Sequence, residues 1–511
     1  MKRYVTDANN TLSRDELGFT RNPDAELHLI TCRPDVAYQR ISGFGGAFTE
    51  AAANVFALMP PELQDRFLLL CFGGAKDGDP AAGGNAYSLC RTHIQSCDFA
   101  LSNYSYVRPF DSSLRSFTIS RDRQLLLPFI KCGLAVNPQL QLFASPWSPP
   151  AFMKTNRRMN GGGKLRRSQY EVWAEVLAKY VDAYAREGVR ISRMSVQNEP
   201  MASQAWDSCL FSAEEEAQFA AAYLRPALDA SGHGDVKLFA WDHNTDKILS
   251  RVQSTFGAPV NQAGKLPLAA AGWRAEGTVA SDAFAGVAFH WYAGDHFEQV
   301  DEVARRWPDK ELLFTEGCVE YTRGEDRKAT QERKAEQYAH AVIGSLNAGA
   351  AGFIDWNLLL NEKGGPNHAR NFCEAPLMYD RDKRELVANR SFFYMAHFSR
   401  FAPVGSRRFL TSRYTDDLET VGFLRPDGSR ALIVLNRHAR PRKFLVSEGE
   451  FTAECKAAGH SITTLVWATG SLLRLRWSCR GLRRCSIRGV RSAVLLGAVL
   501  VFAAACCDLG D

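Results

Sequence analysis

Short apolar runs that are rich in branched residues alternate with amphipathic helical patterns from about residue 40 to about residue 400. Each run is four to eight residues long, as expected of strands that are buried on both faces of a parallel sheet. Repeated strand–helix units of this size predict a parallel sheet with its helices outside. The runs are residues 89–94, 140–144, 191–196, 236–241, 284–291, 311–314 and 351–356.

Two of the helical segments follow a capping pattern. Ser168 and Glu171 have the spacing of a capping box, and so do Ser212 and Glu215. The first pair precedes apolar residues at helical spacing, and Gly188 is expected to end that helix. Both patterns therefore predict helices that begin close to these serines.

About eight strand–helix units fit into residues 41–402, which predicts an α/β fold with a closed (β/α)8 barrel of the TIM type. A doubly wound open sheet is the alternative. Such a sheet usually carries a glycine-rich phosphate turn, and the stretch Gly43-Phe44-Gly45-Gly46 lacks the GxGxxG spacing. The closed barrel is therefore the preferred prediction for residues 41–402.

The pattern changes after residue 402. Short strand-like runs separated by turn residues predict a small β-sandwich over residues 403–467. The segment 25–41 is also strand-like, so the N-terminal residues 1–40 are expected to contribute to the same sandwich. The sandwich would then be formed from both chain ends, with the barrel inserted between them. The C-terminal runs are residues 421–424, 431–435, 443–446 and 462–466.

The final residues, 468–511, are predicted to lie outside the fold. From Ser471 onwards they contain seven Arg and two Asp, and thus most of the formal net charge of +6. The rest of the chain is close to neutral, which does not favour a nucleic-acid partner. The 15 apolar residues 493–507 fall short of the roughly 20 that span a bilayer. A disordered extension or a gene-model artefact is therefore preferred to a membrane anchor.

Cysteine spacing and the N-terminus bear on location and cofactors. Four of the 13 Cys lie in the tail, and the others show no CxxC or Cys/His metal spacing, which favours free thiols in a reducing compartment. The N-terminus has no apolar core of a secretory signal. A cytoplasmic location is predicted, with membrane association as the alternative. Neither a metal nor an organic cofactor is predicted. For a metal the reason is that no ligand spacing supports a site at His243 and His290.

Functional side chains of a (β/α)8 barrel lie at the carboxyl ends of its strands. Two glutamates, an amide and several aromatics occupy these positions here. Aromatic faces stack on sugar rings, and two facing carboxyl groups can divide the acid and nucleophile roles of glycoside hydrolysis. The phosphate cradle of a kinase or dehydrogenase and the GxSxG elbow of a serine hydrolase are absent. The candidates are Asp98, Trp147, Asn198, Glu199, His290, Trp291, Tyr292, Glu316, Asp355 and Trp356.

Several candidates also have a structural interpretation. Trp147, Trp291 and Trp356 could cap the barrel core, and Asp98 could be a structural hydrogen-bond acceptor. The functional prediction therefore depends on Glu199 and Glu316, which end the fourth and seventh strands by this count.

Seven segments carry a family resemblance: GFGGAFTEAAA (43–53), CRTHIQSCDFALSNYSY (90–106), FASPWSPPAFMKTN (143–156), SVQNEP (195–200), FHWYAGDHFE (289–298), FTEGCVE (314–320) and DWNLLLNEKGGPNHARNF (355–372). Together they resemble glycoside hydrolase family 30 of clan A, on its glucosylceramidase side. The resemblance extends in family order from about residue 41 to residue 467. One departure is His368, which stands where the animal glucosylceramidases have Trp.

The resemblance implies that Glu199 is the general acid/base and Glu316 the nucleophile of a retaining double displacement. In that mechanism Glu199 holds the proton while Glu316 is charged. Asn198 would bind the sugar 2-hydroxyl, and Arg91 would support the carboxylates from behind. The resemblance also implies that the non-reducing sugar is bound by Asp98, Trp147 and Trp356. It implies that the pocket is lined by His290, Tyr292 and Asn371.

The resemblance leaves the substrate open. A β-glucoside, including glucosylceramide, is the preferred substrate. Such a substrate would place the enzyme in carbohydrate and sphingolipid metabolism. A β-xylosidase and an endo-β-1,6-glucanase are alternatives in the same family. A transglycosylase and a non-catalytic carbohydrate-binding barrel are the other interpretations.

Overall fold

The structure is a computed structural model that describes residues 1–9, 11–76, 79–260, 280–321, 326 and 329–468. The predicted tail from residue 469 onwards, including the apolar segment 493–507, lies outside the described residues. Within the described ranges, no helix is both long enough and apolar enough to cross a membrane.

The central part of the chain forms the predicted barrel. It is preceded by four strands, β1 (Lys2–Thr6), β2 (Ser13–Glu16), β3 (Thr20–Arg21) and β4 (Leu29–Arg40). The next ten strands are β5 (Gly43–Phe48), β6 (Ala75–Lys76), β7 (Asp79–Gly83), β8 (Leu89–Ile94), β9 (Gln141–Pro146), β10 (Ile191–Ser195), β11 (Lys237–Asn244), β12 (Gly286–His290), β13 (Glu311–Glu316) and β14 (Gly352–Asp355). Strands β6 and β7 form a separate short hairpin, and the other eight close a parallel barrel in chain order. The (β/α)8 prediction is confirmed, and the open-sheet alternative is wrong.

Large and small inward side chains fill the barrel interior. The glycines of β5 allow this strand to approach its neighbour β8 closely. A Cβ on Gly45 would lie 2.0 Å from the carbonyl oxygen of Leu89, which no side chain tolerates. The Gly-rich stretch is therefore a packing feature of the barrel and not a phosphate turn. The interior cluster is Leu89, Phe143, Phe239, Ala288, Leu313, Ala351 and Ile354.

Helices cover the outside of the barrel. They are α1 (Glu50–Leu58), α2 (Pro61–Phe72), α3 (Leu126–Val136), α4 (Tyr170–Arg186), α5 (Ala213–Phe219), α6 (Arg225–Ala230), α7 (Ile248–Phe256), α8 (Phe297–Arg306), α9 (Gln331–Asn347) and α10 (Arg390–Ser399). A π-helical turn, Ala220–Leu224, joins α5 to α6.

One capping prediction is confirmed and the other is wrong. Ser212 and Glu215 form the complete capping box of α5. Ser168 instead lies inside a 3₁₀ turn, Arg167–Gln169, and α4 begins at Tyr170 without a side-chain cap. An N-cap residue needs a non-helical backbone, which the 3₁₀ turn does not give Ser168. Gly188 follows the end of α4 with φ +78°, as expected of a residue that ends a helix.

Both chain ends form the second domain. After a three-stranded sheet of β15 (Leu359–Asn361), β16 (Leu377–Asp380) and β17 (Glu385–Ala388) come β18 (Arg407–Ser412), β19 (Leu418–Leu424), β20 (Arg430–Asn436), β21 (Arg442–Glu448), β22 (Phe451–Ala457) and β23 (Ser461–Trp467). These six strands and β1–β4 form a ten-stranded sheet in the order β2-β1-β23-β20-β19-β18-β4-β21-β22-β3. This sheet has a core of its own that includes Ile30, Phe409, Leu432 and Val446. The predicted sandwich from both chain ends is confirmed.

A buried ion pair spans the amino-terminal end of the barrel. Arg193 on β10 donates from Nη2 and Nε to the two carboxylate oxygens of Glu311 on β13, at 2.8 and 3.1 Å. Ser42 donates to the same carboxylate at 2.5 Å. The Arg193 and Glu311 side chains are 6% and 13% exposed, so the loss of the Glu311 charge leaves the Arg193 guanidinium in a buried position without this counter-ion.

We expect Glu311→Gln to lower the free energy of unfolding by about 3 kcal/mol, because Arg193 keeps its charge but loses its counter-ion. Urea denaturation followed by circular dichroism measures the change. Asp301→Asn is the matched control, since Asp301 pairs with Arg305 on the exposed face of α8. Equal denaturation midpoints for Glu311→Gln and the control would contradict the expectation.

Candidate active site

Glu199 and Glu316 lie at the same end of the barrel. Glu199 follows β10 and Glu316 ends β13, which are the fourth and seventh barrel strands in chain order. The side chains of Glu199 and Glu316 are 13% and 9% exposed, so each carboxyl group is largely removed from solvent. The carboxyl ends of the barrel strands therefore bring the two predicted residues to one site.

Arg91, which lies on β8 and is fully buried, joins the two strand ends. Its Nη1 donates to Glu316 Oε2 at 2.5 Å, and its Nη2 donates to Asn198 Oδ1 and Asp242 Oδ2, both at 2.7 Å. Because the Asn198 amide oxygen accepts from Arg91, its amide nitrogen is left to donate elsewhere. Arg91 therefore orients both a carboxylate and an amide, in the position that the resemblance implied.

Asp242, at the end of β11, is the centre of this network and was missed by the sequence interpretation. Its carboxylate is fully buried. Arg91 and His290 hold the pKa of Asp242 well below its ordinary value, although burial alone would raise it. The predicted strand stopped at residue 241, and the carboxylate that follows it was assigned no role in the site. Besides Arg91, the groups that donate to Asp242 are Ser145 Oγ at 2.8 Å, Ser195 Oγ at 2.6 Å, Thr315 Oγ1 at 2.6 Å and His290 Nε2 at 3.1 Å.

His290 lies between two carboxyl groups. Its Nε2 faces Asp242 at 3.1 Å and its Nδ1 faces Glu199 at 3.3 Å. A ring that donates to both oxygens at once carries a proton on each nitrogen, which is the imidazolium form. Burial lowers the pKa of His290, but the charge of Glu316 and the contacts with Asp242 and Glu199 prevail and raise it to about 9. By contrast, burial lowers the pKa of His243 to about 4.

Glu199, His243 and His290 are the one group of three possible metal ligands within the described residues. A metal ligand must offer a free imidazole lone pair. Both nitrogens of His290 face carboxylates, and its raised pKa keeps the ring protonated at neutral pH. The three residues therefore fit a hydrogen-bonded support for Glu199 better than a metal site.

The two glutamates differ in pKa in the substrate-free site. Burial raises the pKa of Glu316 and prevails over the opposing charges of His290 and Arg91. Burial also acts to raise the pKa of Glu199, but the hydrogen bond from His290 and the charge of His243 outweigh it, so this pKa is lowered. An acid at Glu199 and a nucleophile at Glu316 would need the higher pKa on Glu199. Before substrate binds, the order of the two pKa values is therefore the opposite of the expected one.

The backbone at the site is strained. Glu199 has φ +48°, and the neighbouring Trp241 and Asp242 have φ +75° and +49°. Residues other than glycine adopt this region uncommonly, and such residues are often found at active sites as well as in turns. The Glu199 amide donates to the Asp242 carbonyl at 3.0 Å, which links the two turns. On this turn the Glu199 carboxyl group lies 3.3 Å from His290 Nδ1.

Tyr292 and two tryptophans border the carboxylates. The Tyr292 hydroxyl donates to Glu316 Oε1 at 3.0 Å, and the residue is 38% exposed. Trp147 and Trp356 stack on each other with ring centroids 5.4 Å apart. The Arg91 guanidinium lies 4.7 Å from the ring centroid of Trp147, so the indole faces are largely used within the protein. A ligand would meet these rings mainly at their edges.

Asp98 and Asn371 form a separate polar pair. Asn371 Nδ2 donates to Asp98 Oδ2 at 3.4 Å. Asp98 Oδ1 is buried and has no hydrogen-bond partner among the residues that the structure describes. Burial and the charges of Glu316 and Glu199 raise the pKa of Asp98 well above its ordinary value. A buried polar atom without a partner costs about 1–3 kcal/mol, so this oxygen is suited to a ligand hydroxyl.

All the residues assigned to the site by the resemblance lie at this end of the barrel, but two further candidates do not join it. Trp291 packs against Phe314 and Tyr338, as its structural interpretation implied. Asp355 accepts a hydrogen bond from the Tyr338 hydroxyl at 2.9 Å. Both therefore lie behind the site.

Comparison with known families supports the same architecture. The model described as "Glycosyl hydrolase family 30 TIM-barrel domain" matches residues 41–258 and 260–402. The model described as "Glycosyl hydrolase family 30 beta sandwich domain" matches residues 405–465.

Individual relatives cover most of the chain. The lysosomal acid glucosylceramidase of Mus musculus is 34% identical over 458 residues, which are 86% of this chain and 83% of the mouse protein. The crystal structure of SrfJ from Salmonella typhimurium is 40% identical, with a TM-score of 0.84, and the match covers 92% of this chain and 99% of that one. The endo-beta1,6-glucanase BT3312 is 28% identical, with a TM-score of 0.76 and the same coverage.

We expect the His290 ring to stay protonated up to a pH near 9, because Asp242 and Glu199 accept from its two nitrogens. Heteronuclear NMR of protein with labelled histidine measures this titration. Asp242→Asn should lower the pKa of His290, since it removes one of the neighbouring charges. His243 is the internal control and should be neutral at pH 7. A His290 titration near 6.5, unchanged in Asp242→Asn, would refute this account of the network.

Proposed function

The chain belongs to glycosyl hydrolase family 30 and is a glycoside hydrolase, and we propose that it cleaves β-glucosidic bonds with retention of the anomeric configuration. The observation that carries the proposal is that the two glutamates contact different neighbouring groups. Arg91 and Tyr292 hold both oxygens of Glu316, whereas Glu199 lies on a strained turn beside His290. One carboxylate is thus fixed for attack and the other is placed to exchange a proton.

In the first step Glu199 donates its proton to the glycosidic oxygen as the bond to the anomeric carbon breaks. A Glu316 carboxylate oxygen forms a bond to that carbon from the opposite face, which gives a covalent glycosyl–enzyme. In the second step Glu199 takes a proton from water, and the water oxygen displaces Glu316. Two inversions at one carbon give net retention.

Substrate must first reverse the order of the two pKa values. In the substrate-free site the pKa of Glu316 is raised by burial and that of Glu199 is lowered mainly through His290. A sugar hydroxyl that donates to Glu316 stabilises its charged form, and a leaving group that covers Glu199 removes water from it. Both effects favour a proton on Glu199 and a charge on Glu316.

The groups proposed to bind the sugar are the Asp98 carboxyl and the Asn198 amide. Asp98 Oδ1 has no hydrogen-bond partner within the described part of the chain, and the Asn198 amide oxygen accepts from Arg91, so its nitrogen is the group that can donate to a ligand. Together with the edges of Trp147 and Trp356, these groups suit the hydroxyls of one terminal sugar. The burial of Asp98, which is 5% exposed, favours a sugar at the end of a chain over an internal unit.

The donor sugar is proposed to be glucose, with glucosylceramide as the leading natural substrate, because a lysosomal acid glucosylceramidase is among the relatives. An endo-acting β-1,6-glucanase is the second candidate, since proteins with that name also match most of the chain. A β-xyloside is the third. The exposed side of the site, near Tyr292, is where these substrates would differ.

We expect Glu316→Gln to lower kcat on an aryl β-glucoside on the order of 10⁴-fold, because no nucleophile remains. Glu199→Gln should slow substrates with poor leaving groups about 10²- to 10⁴-fold and activated aryl glucosides far less, because only the former need an acid. Steady-state kinetics on both substrate types gives these values. Glu320→Gln is the matched control, as Glu320 is exposed in the same segment. Full activity in both variants would refute the assignment.

A panel of aryl β-glycosides tests the donor sugar. The glucoside should be cleaved faster than the xyloside, galactoside and fucoside, and NMR of the first product should show the β-anomer. Glucosylceramide and a β-1,6-linked glucan are then compared as natural substrates. Release of internal fragments from the glucan, without cleavage of the aryl glucoside, would replace the proposal with the glucanase alternative.

A further inference from the structure

An ion pair outside the catalytic network connects loops around the sugar-binding groups. His368 Nε2 lies 3.2 Å from Asp207 Oδ2, and His368 Nδ1 lies 2.9 Å from the carbonyl oxygen of Ala100. The His368 backbone amide donates to the same carbonyl at 3.0 Å. Nδ1 must carry a proton to donate to the Ala100 carbonyl, whereas the Nε2 contact with Asp207 has an ion-pair distance without hydrogen-bond geometry. Its attraction to Asp207 therefore needs the second proton that makes the ring a cation.

Asp207 connects several loops at the carboxyl end of the barrel. It is 1% exposed and follows β10. Its Oδ1 accepts from Ser96 Oγ at 2.6 Å and from Asn103 Nδ2 at 2.8 Å, both in the segment after β8. Its backbone pairs with Asn160 in the segment after β9. With His368, Asp207 therefore joins segments that follow four of the barrel strands.

His368 lies next to the part of its loop that carries Asn371. Asn367 Nδ2 donates to the Asn371 carbonyl at 2.6 Å, and the Asn371 amide donates to Asn367 Oδ1 at 3.1 Å. On the opposite side, Ala100 lies two residues after Asp98. The contacts of His368 thus fix the loop with Asn371 to the segment with Asp98, and the two sugar-binding groups meet at 3.4 Å.

We propose that His368 and Asp207 form a charged tie that holds Asn371 against Asp98, and that this tie sets the affinity of the site for the terminal sugar. Both are positioning residues, because they act through Asn371 and Asp98 and not on the reacting atoms. The proposal rests on the proposed function, in which Asp98 and Asn371 bind that sugar.

The tie is expected to depend on pH. The charged groups that face His368 are Asp207 and, at longer range, Asp98. Lys154 is buried near Asp207 and is held by the carbonyls of Met159 and Ser208. Burial lowers the pKa of His368, but the contact with Asp207 prevails and raises it above the ordinary value. The tie is therefore complete below pH 6.5 and is lost as the pH rises through the raised pKa of folded His368.

Two variants separate a positioning role from a general structural one. His368→Gln and Asp207→Asn should each raise KM for an aryl β-glucoside about 10-fold with kcat within about twofold, because a charge-assisted contact to the binding loop is lost. In the unaltered protein, KM should rise with pH through the titration of His368, and His368→Gln should abolish that rise. His438→Gln is the matched control, since His438 pairs with Asp417 on the sandwich. An unchanged KM, or an equal fall in kcat, would overturn the proposal.

A second readout does not depend on turnover. The pKa of His368, measured by NMR of labelled histidine, should lie above 6.5 in the unaltered protein and fall in Asp207→Asn. If no glycoside is cleaved, the proposed function fails, but this titration still tests the tie. A His368 pKa at its ordinary value, or one that Asp207→Asn leaves unchanged, would refute the tie even in an active glucosidase.

Discussion

The contact between Arg91 and Asp242, both fully buried at the carboxyl end of the barrel, is the interaction on which the site depends. Removing two charges from water costs several kcal/mol per ion, and only good geometry with further hydrogen bonds offsets it. Here the remaining oxygen and nitrogen atoms contact Ser145, Ser195, Thr315, His290, Asn198 and Glu316. The pair is thus satisfied by side chains on or just after β9, β10, β12 and β13, whose carboxyl ends lie at the same end of the barrel.

This buried network also explains the strained backbone. Asp242 and Glu199 both adopt positive φ, and the Glu199 amide donates to the Asp242 carbonyl. Each strained residue costs of order 1–3 kcal/mol, which the surrounding contacts must outweigh. The result is that Glu199 faces His290 while Glu316 faces Arg91, so two identical side chains have different chemical surroundings. That difference is what a double displacement requires of two carboxyl groups.

The barrel was predictable because its strands are buried on both faces and appear as continuous apolar runs. Strands β18 and β22 were missed for the opposite reason. β18 begins with two arginines, and β22 contains Glu454 and Lys456, so neither has an unbroken apolar run. In the same way Ser168 and Glu171 had the right spacing, but a 3₁₀ turn precluded a capping box. Local sequence patterns predict the structure reliably where burial alone decides it. They fail where contacts with neighbouring segments decide it.

The sequence by itself determined the (β/α)8 barrel, the sandwich from both chain ends, and the positions of Glu199 and Glu316 at two strand ends. These follow from the period of apolar residues and from the rule that strand ends carry the functional side chains. Only the tertiary structure decided that Asp242 is the centre of the network, that the faces of Trp147 and Trp356 are used within the protein, and that His368 contacts Asp207. The reason is that hydrogen bonds between residues about 50 to 270 positions apart depend on the register of barrel strands and the paths of loops, which no local sequence pattern specifies.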